Sequence, residues 1–419
     1  MKISLNTTVY KVLFNTIVFL VIIKLLTSYL TVKLHYFQRH LASNYDSFNF
    51  FNLPFDFSNK IEFCLFPLLI IFILRYKHYW TPSKYFILIS FCAYALNFIT
   101  SLKNDISLFQ SLIYSLKLFT PLYFFCALII YSKISRKNLN KIFLKFSYFC
   151  LFLGVIALLF FNPSYNRLQN YLPIFYDSIH THNYLMVSLF IGISYSIYRS
   201  RLNFYYLITF FAISFLFLFF GYNVRTALIM YLIYILMMLF LISNFFKILI
   251  FKILVFTPLI VIMIIFIKSE IDWVEISSGR TAMYTEKINQ ISGFNFFDWI
   301  FGQGSGADLI KTKVWWWDKK GAHSDIITIF IENGILYVAL FFSIFYLLLR
   351  LSRKTNLIFL AIIFGSIFTS FISNGIIFRP HASYILNLVL AYIFIDINNK
   401  DFHVLDSKNI PHNYNKIKS

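Results

Sequence analysis

Apolar residues in this chain come in long runs separated by short polar intervals. Runs near 9 to 30, 61 to 75, 84 to 102, 106 to 131, 142 to 161, 183 to 199, 203 to 220, 225 to 243, 246 to 267, 325 to 349, 356 to 373 and 380 to 397 read as membrane spans. A helix needs roughly twenty apolar residues to cross a bilayer core, and several of these runs are somewhat shorter. The pattern predicts an all-α, polytopic integral membrane protein of about twelve transmembrane helices, with residues 1–419 as a single membrane domain. The first run, from Val9 to Leu30, is long and lacks a small-residue cleavage site, so it reads as a span and not as a secretory signal.

Composition removes the soluble alternatives. Hydrophobic residues make up 59% of the chain and charged residues only 13%, which places it among membrane proteins. Phenylalanine and isoleucine dominate the spans, as expected from an AT-rich bacterial genome. The net charge of +20 does not indicate nucleic acid, because the lysines and arginines are dispersed among short interhelical loops. Such an excess orients a membrane protein instead. Arg75, Lys77 and Lys84, then Lys133, Arg136, Lys137 and Lys141, Arg199 and Arg201, Lys247, Arg350, Arg353 and Lys354, and the lysines of the tail fall in alternate loops. Both termini are therefore expected in the cytoplasm, with the chain in a bacterial inner membrane. The residues after Ile397 read as a polar, basic, poorly ordered cytoplasmic tail, 398–419.

The opposite face receives the longer loops, 31 to 60, 162 to 182 and 268 to 324. The last is the largest, and is expected on the side away from the cytoplasm. It carries Glu270, Asp272, Glu275, Glu286, Asp298, Asp308 and Asp318, the glycines of GQGSG, and Trp315, Trp316 and Trp317, which suit the headgroup level. Within it, SSGRTAMYTEKINQI reads as a short amphipathic helix capped by Ser277 or Ser278. Cys64, Cys92, Cys126 and Cys150 all lie inside apolar runs without ligand spacing and read as buried thiols.

The residues capable of polar chemistry collect on this same face. Arg225, in GYNVRTALIM, opens a span where a guanidinium is either an interfacial snorkelling group or a clamp for an anionic headgroup. Arg280, in SSGRT, stands at a helix amino end whose free amides also favour an anion. Arg167, in NPSYNRLQNY, and Arg379, in GIIFRPHASY, are further guanidiniums on this side. His323 precedes the helix holding Asp325 and, farther on, Glu332 and Gly334. A histidine near a carboxylate can take a proton from a sugar hydroxyl, though a capping role is the plainer alternative. His180 and His182 lie two residues apart with no accompanying thiol or carboxylate cluster, which favours hydrogen bonding over a metal. Lys24 and Lys117 are mid-span charges with no evident acidic partner, which counts against coupled transport.

These strings, NVRTALIM, SSGRTAMY, IFGQGSG and AHSDIITIFIENGILY, together with THNYLMVSLF, resemble in their order the O-antigen polymerase and O-antigen ligase superfamily of bacterial envelope proteins. The resemblance covers about residues 160 to 380. It implies a metal-independent glycosyltransferase without cofactor, acting on an undecaprenyl-pyrophosphate-linked oligosaccharide at the periplasmic face, among membrane lipid and with a chain-length regulator as a further partner. On the matching positions, Arg225 and Arg280 would hold the pyrophosphate and His323 would activate the acceptor hydroxyl. Arg167, His182, Arg379, Asp325 and Glu332 would contact substrate. A polymerase of surface polysaccharide is the expected activity; the alternatives are a ligase of the same superfamily and a lipid-linked oligosaccharide flippase.

Overall fold

The structure, a computed structural model, describes residues 2–30, 57–135, 139–160, 179–200, 204–221, 224–242, 280–311, 319, 321–352 and 357–408. These residues form α1 (Lys2–Leu30), α2 (Phe57–Tyr76), α3 (Ser83–Lys103), α4 (Leu108–Ser135), α5 (Asn140–Phe160), α6 (Ile179–Arg199), α7 (Phe204–Gly221), α8 (Arg225–Ile242), α9 (Arg280–Ser292), α10 (Phe296–Phe301), α11 (Asp325–Ser352), α12 (Leu357–Ile372) and α13 (Pro380–Lys408). A single 3-10 turn, Lys77–Tyr79, links α2 to α3.

Six of the described helices are long and apolar enough to cross a membrane: α1, α3, α4, α7, α11 and α13. Helices α8 and α12 are shorter and equally apolar. The outer surface agrees with this, because Phe19, Leu88, Phe91, Tyr205, Phe220 and Phe364 are exposed on different helices, a distribution that water would not tolerate over so much of a protein and lipid does. The chain is a helical membrane protein. The expected span at 246–267, the loop residues 31–56, 162–178 and 268–279, and Trp315, Trp316 and Trp317 lie outside the described residues.

Helices α4 and α13 form the enclosed centre. Helix α13 packs on α4 and α6; α2 and α3 also pack on α4; α1 leans on α2, α8 on α12, and α11 on both α3 and α12. Small hydroxyl and tyrosine pairs stitch these contacts. Asn97 donates to Ser111 O at 2.9 Å and to Ser115 Oγ at 2.5 Å, and Ser115 Oγ meets the Tyr337 hydroxyl at 2.6 Å, tying α3, α4 and α11. Ser194 with Tyr234 and Ser214 with Tyr231 do the same for α6, α7 and α8. In lipid, where apolar contact alone gives helices no preference for each other, each such bond contributes about 1 kcal/mol.

Three readings from the sequence change here. Helix α13 continues to Lys408, well past the point where a disordered tail is expected, so the helix does not end with its apolar segment. Cys64 and Cys92 are exposed, and only Cys126 and Cys150 are buried, because apolar character in a membrane protein does not distinguish a lipid-facing position from a core one. The apolar run from 325 to 349 is not one regular helix: at Gly334 the backbone turns to φ 73°, ψ −179°, breaking α11.

The break is filled by the large loop. Helix α10 opens with a reciprocal cap between Asn295 and Asp298 and stops at Gly302, φ 75°. The chain then lies against the break, with Gln303 N donating to Ile331 O at 2.8 Å and Gly304 N to Glu332 O at 2.9 Å. These carbonyls would otherwise bond residues one turn on within α11. From the other side Lys103 donates to Gly302 O at 2.9 Å and pairs with Asp298 at 2.5 Å, while Thr100 donates to Phe301 O at 2.9 Å. The fit excludes side chains: a Cβ on Gly334 would stand 2.2 Å from Ile300 O, and one on Gly302 2.4 Å from Asn333 N.

Gly334→Ala should therefore lower stability by more than about 2 kcal/mol, since it combines a left-handed backbone with a clash against main chain. Gly306 has the same sign of φ, +90°, and open space around it. Gly306→Ala should cost only the backbone term, about 1–2 kcal/mol. Melting midpoints of the two variants in detergent micelles check the difference; equal losses would mean that the close packing at the break carries no weight.

Candidate functional site at the helix amino ends

One end of the bundle is built from helix beginnings. Helices α6, α8, α11 and α13 all start there, which their contacts establish directly. Arg379, just before α13, donates to Thr181 Oγ1 in the first turn of α6 at 3.3 Å. The Tyr184 hydroxyl, one turn into α6, lies beside Thr226 at the start of α8 and Thr369 near the end of α12. The Asp325 carboxylate, at the start of α11, accepts Gly375 N at 2.7 Å from the turn between α12 and α13. Four amino ends in one place favour an anion, and the carboxyl end of α12 shares the region through Phe371 O and Ile372 O.

The guanidinium of Arg379 is the central charged group of this cluster. Its Nε and Nη2 point at Asn374 O, both at 3.4 Å, its carbon lies 5.8 Å from the centre of the Tyr184 ring, and Asp325 is within electrostatic reach. These bonds hold the guanidinium between the first turn of α6 and the turn that precedes α13. His182 is fully buried one residue after Thr181, inside the first turn of α6 and not in a loop before it. Arg225 is exposed at the first position of α8. Proline 380 supplies the first residue of α13, where a missing amide hydrogen costs nothing. His381 follows it, buried, and neither of its ring nitrogens meets a hydrogen-bond partner among the described residues.

His323 sits on a turn pinned from both sides. The preceding amide, Ala322 N, donates to Asp308 Oδ2 at 2.8 Å, and the following side chain, Ser324 Oγ, donates to Phe371 O at 2.9 Å. Between them His323 holds φ 54°, a left-handed conformation that side chains other than glycine adopt at a cost and that tends to persist at functional positions. Asp308 is itself fixed by the buried Lys287, with Nζ 2.9 Å from Oδ1, and by Thr328 Oγ1 at 2.7 Å. Helix α9 thus reaches the turn through Lys287, and Tyr284 on the same helix donates to Ile372 O at 3.3 Å. Arg280 is the first residue of α9, one turn before Tyr284; its side chain lies outside the described residues, as does the whole of Arg167.

The two carboxylates expected beside His323 are both engaged inside the fold. Asp325 holds the α12–α13 turn, and Glu332, about two turns farther down α11, accepts Gly306 N at 2.8 Å and so anchors the glycine loop.

The sequence reading of Lys24 does not hold. Glu62 is its acidic partner, with Lys24 Nζ 3.1 Å from Oε1 and both side chains buried; Lys24 also donates to Ser58 O at 2.6 Å. The second Glu62 oxygen accepts the Tyr384 hydroxyl at 2.8 Å, one turn beyond His381. A carboxylate at the very edge of an apolar run reads as interfacial, and only the packing of α1 on α2 brings it inward to the lysine. Thr181, Tyr184, Lys287 and Glu62 are the residues of this end that sequence reasoning leaves out.

Neither the protein-family models, the curated proteins nor the solved structures contain a match to this chain. The site therefore has to be read from its own chemistry: an amide-rich, arginine-bearing end suited to an anion, and a histidine presented on a constrained turn beside it.

Removal of one member of the buried ion pair separates structure from chemistry here. Glu62→Ala should cost about 3–5 kcal/mol because it strands Lys24 in an apolar surround, while the double variant Lys24→Met with Glu62→Leu should come back close to the parent. Melting midpoints in micelles test this; a double variant as unstable as the single would show that the pair is irreplaceable by packing.

Proposed function

We propose that this protein is a surface-polysaccharide polymerase that transfers a glycan from undecaprenyl pyrophosphate to a hydroxyl of the next lipid-linked repeat unit. The observation that carries the reading is the meeting of four helix amino ends around Arg379, with Arg225 opening one of those helices. A diphosphate leaving group needs such an environment: preorganised amides and guanidiniums that gain strength as negative charge develops. In the reaction the acceptor oxygen bonds to the anomeric carbon while the bond from that carbon to the pyrophosphate oxygen breaks, and the electron pair leaves with the diphosphate. Arg225, Arg280 and Arg379 neutralise that charge, and His323 accepts the proton of the acceptor hydroxyl. A guanidinium set can do this without a metal because the donor is already an activated ester.

The basic residues of the other end of the bundle, Lys77, Lys133, Arg199 and Arg350, support an orientation for this reading. By the positive-inside rule that end faces the cytoplasm, which turns the arginine cluster to the periplasm and leaves both termini inside. The buried Lys24–Glu62 pair is the one observation that favours a second reading, a flippase for lipid-linked oligosaccharide, since intramembrane charge pairs accompany coupled transport. A ligase of the same superfamily shares the anion chemistry and differs in its acceptor.

Deleting the gene and resolving the cell's polysaccharide on a gel distinguishes the three. A single repeat on the core marks a lost polymerase, lipid-linked polymer a lost ligase, and cytoplasmic repeat units a lost flippase. At normal expression, Arg225→Ala and Arg379→Ala should each reduce chain extension by about 100-fold, the scale of losing one preorganised charge partner. His323→Ala should leave single-repeat glycolipid and no ladder. A full ladder from any of these variants would remove that residue from the mechanism.

A further inference from the structure

The opposite end of the bundle holds a cleft of about 690 Å³ that the proposed reaction does not use. Its floor is aromatic: Trp80 packs edge to face against Phe394 at 6.3 Å and stacks near Phe86 at 6.1 Å, and all three are buried. Its rim carries Lys133 from the end of α4, Arg350 from the end of α11 and His78 from the turn between α2 and α3. No acidic side chain among the described residues lines it. The nearest acid along α13 is Asp396, two residues from the lining Asn398, and it is committed elsewhere, to Arg199 Nε at 2.5 Å and the Tyr195 hydroxyl at 2.8 Å. Among the described residues neither Lys133 nor Arg350 enters an ion pair.

We propose that this cleft is a binding site for a phosphate-bearing anion, the headgroup of an acidic phospholipid, seated between Lys133 and Arg350 over the ring floor. The ends of α4 and α11, far apart in sequence, bring two cations to one concave place that no acidic side chain lines among the described residues. A guanidinium offers paired donors to phosphate and an ammonium adds a point charge. Exposed Tyr79 and Tyr85 on the same rim suit the headgroup level of a bilayer, where a ring can be half wet. Basic pockets between transmembrane helices at the cytoplasmic surface recognise acidic headgroups on this principle. The site is separate from the arginine cluster and does not depend on the polymerase reading.

Full-length protein in micelles, titrated with dioctanoyl phosphatidylglycerol and observed by native mass spectrometry, should take up the lipid saturably. K133Q/R350Q should weaken that uptake roughly tenfold or more, with circular dichroism and melting midpoint unchanged because both side chains are exposed. Dioctanoyl phosphatidylcholine should bind more weakly and without dependence on the two cations. Inorganic phosphate that binds as well as the acidic lipid, with the same dependence, would keep the anion site and assign it to a soluble phosphate compound. No saturable uptake of either anion, equal uptake of the two lipids, or uptake indifferent to the double substitution overturns the site.

Discussion

A helix that breaks inside a membrane protein leaves carbonyl groups which lipid cannot satisfy, and the arrangement of this molecule turns on how that debt at Gly334 is met. Ile331 O and Glu332 O are taken by Gln303 N and Gly304 N, and the Glu332 side chain takes Gly306 N in return. The loop is thereby held in the break at three points, and glycines are required because main chain lies against main chain. An unsatisfied pair of this kind would cost several kcal/mol in an apolar surround. Consequently residues 302–306 of the large loop are part of the bundle's interior construction and not an appendage to it.

That anchoring sets the position of the turn before α11. Asp308 follows the glycine loop directly, and by accepting from Ala322 N and Thr328 Oγ1 it fixes the residues on either side of His323. Lys287 fixes Asp308 in turn and draws α9, with Arg280 at its head, to the same place. A disturbance at the break would therefore be felt at the histidine through two or three packed residues. Rigid support of this kind is what the proton-accepting role proposed for His323 requires.

The apolar runs made the helices legible, with α3, α4, α7, α8, α11 and α12 within a few residues of their expected bounds. The helix in SSGRTAMYTEKINQI was equally visible, because its polar pattern stands out against the spans. What the linear pattern could not carry was side-on information. Gly334 looks like any glycine in an apolar run until a second strand of backbone is laid against it. Cys64 and Cys92 look as buried as Cys126, since lipid and core select the same side chains. Glu62 looks interfacial until α1 delivers Lys24 to it. Of the candidate site, the residue types were readable. The commitment of Asp325 and Glu332 to backbone amides was not, because that depends on turns far away in sequence.

Sorting the charges at this end by what they already bond gives the strongest case for where a ligand would go. Lys24 and Glu62 close on each other, Lys287 closes on Asp308, and Glu332 and Asp325 close on amides; all six are buried or nearly so. Charges in that condition hold a fold together and can do little else without unmaking it. Arg379 differs in being only partly buried, between Thr181 and Asn374. Arg225 differs further, being exposed at the head of α8. Both guanidiniums are at least partly exposed at helix amino ends, which is why the proposed anion is placed on them.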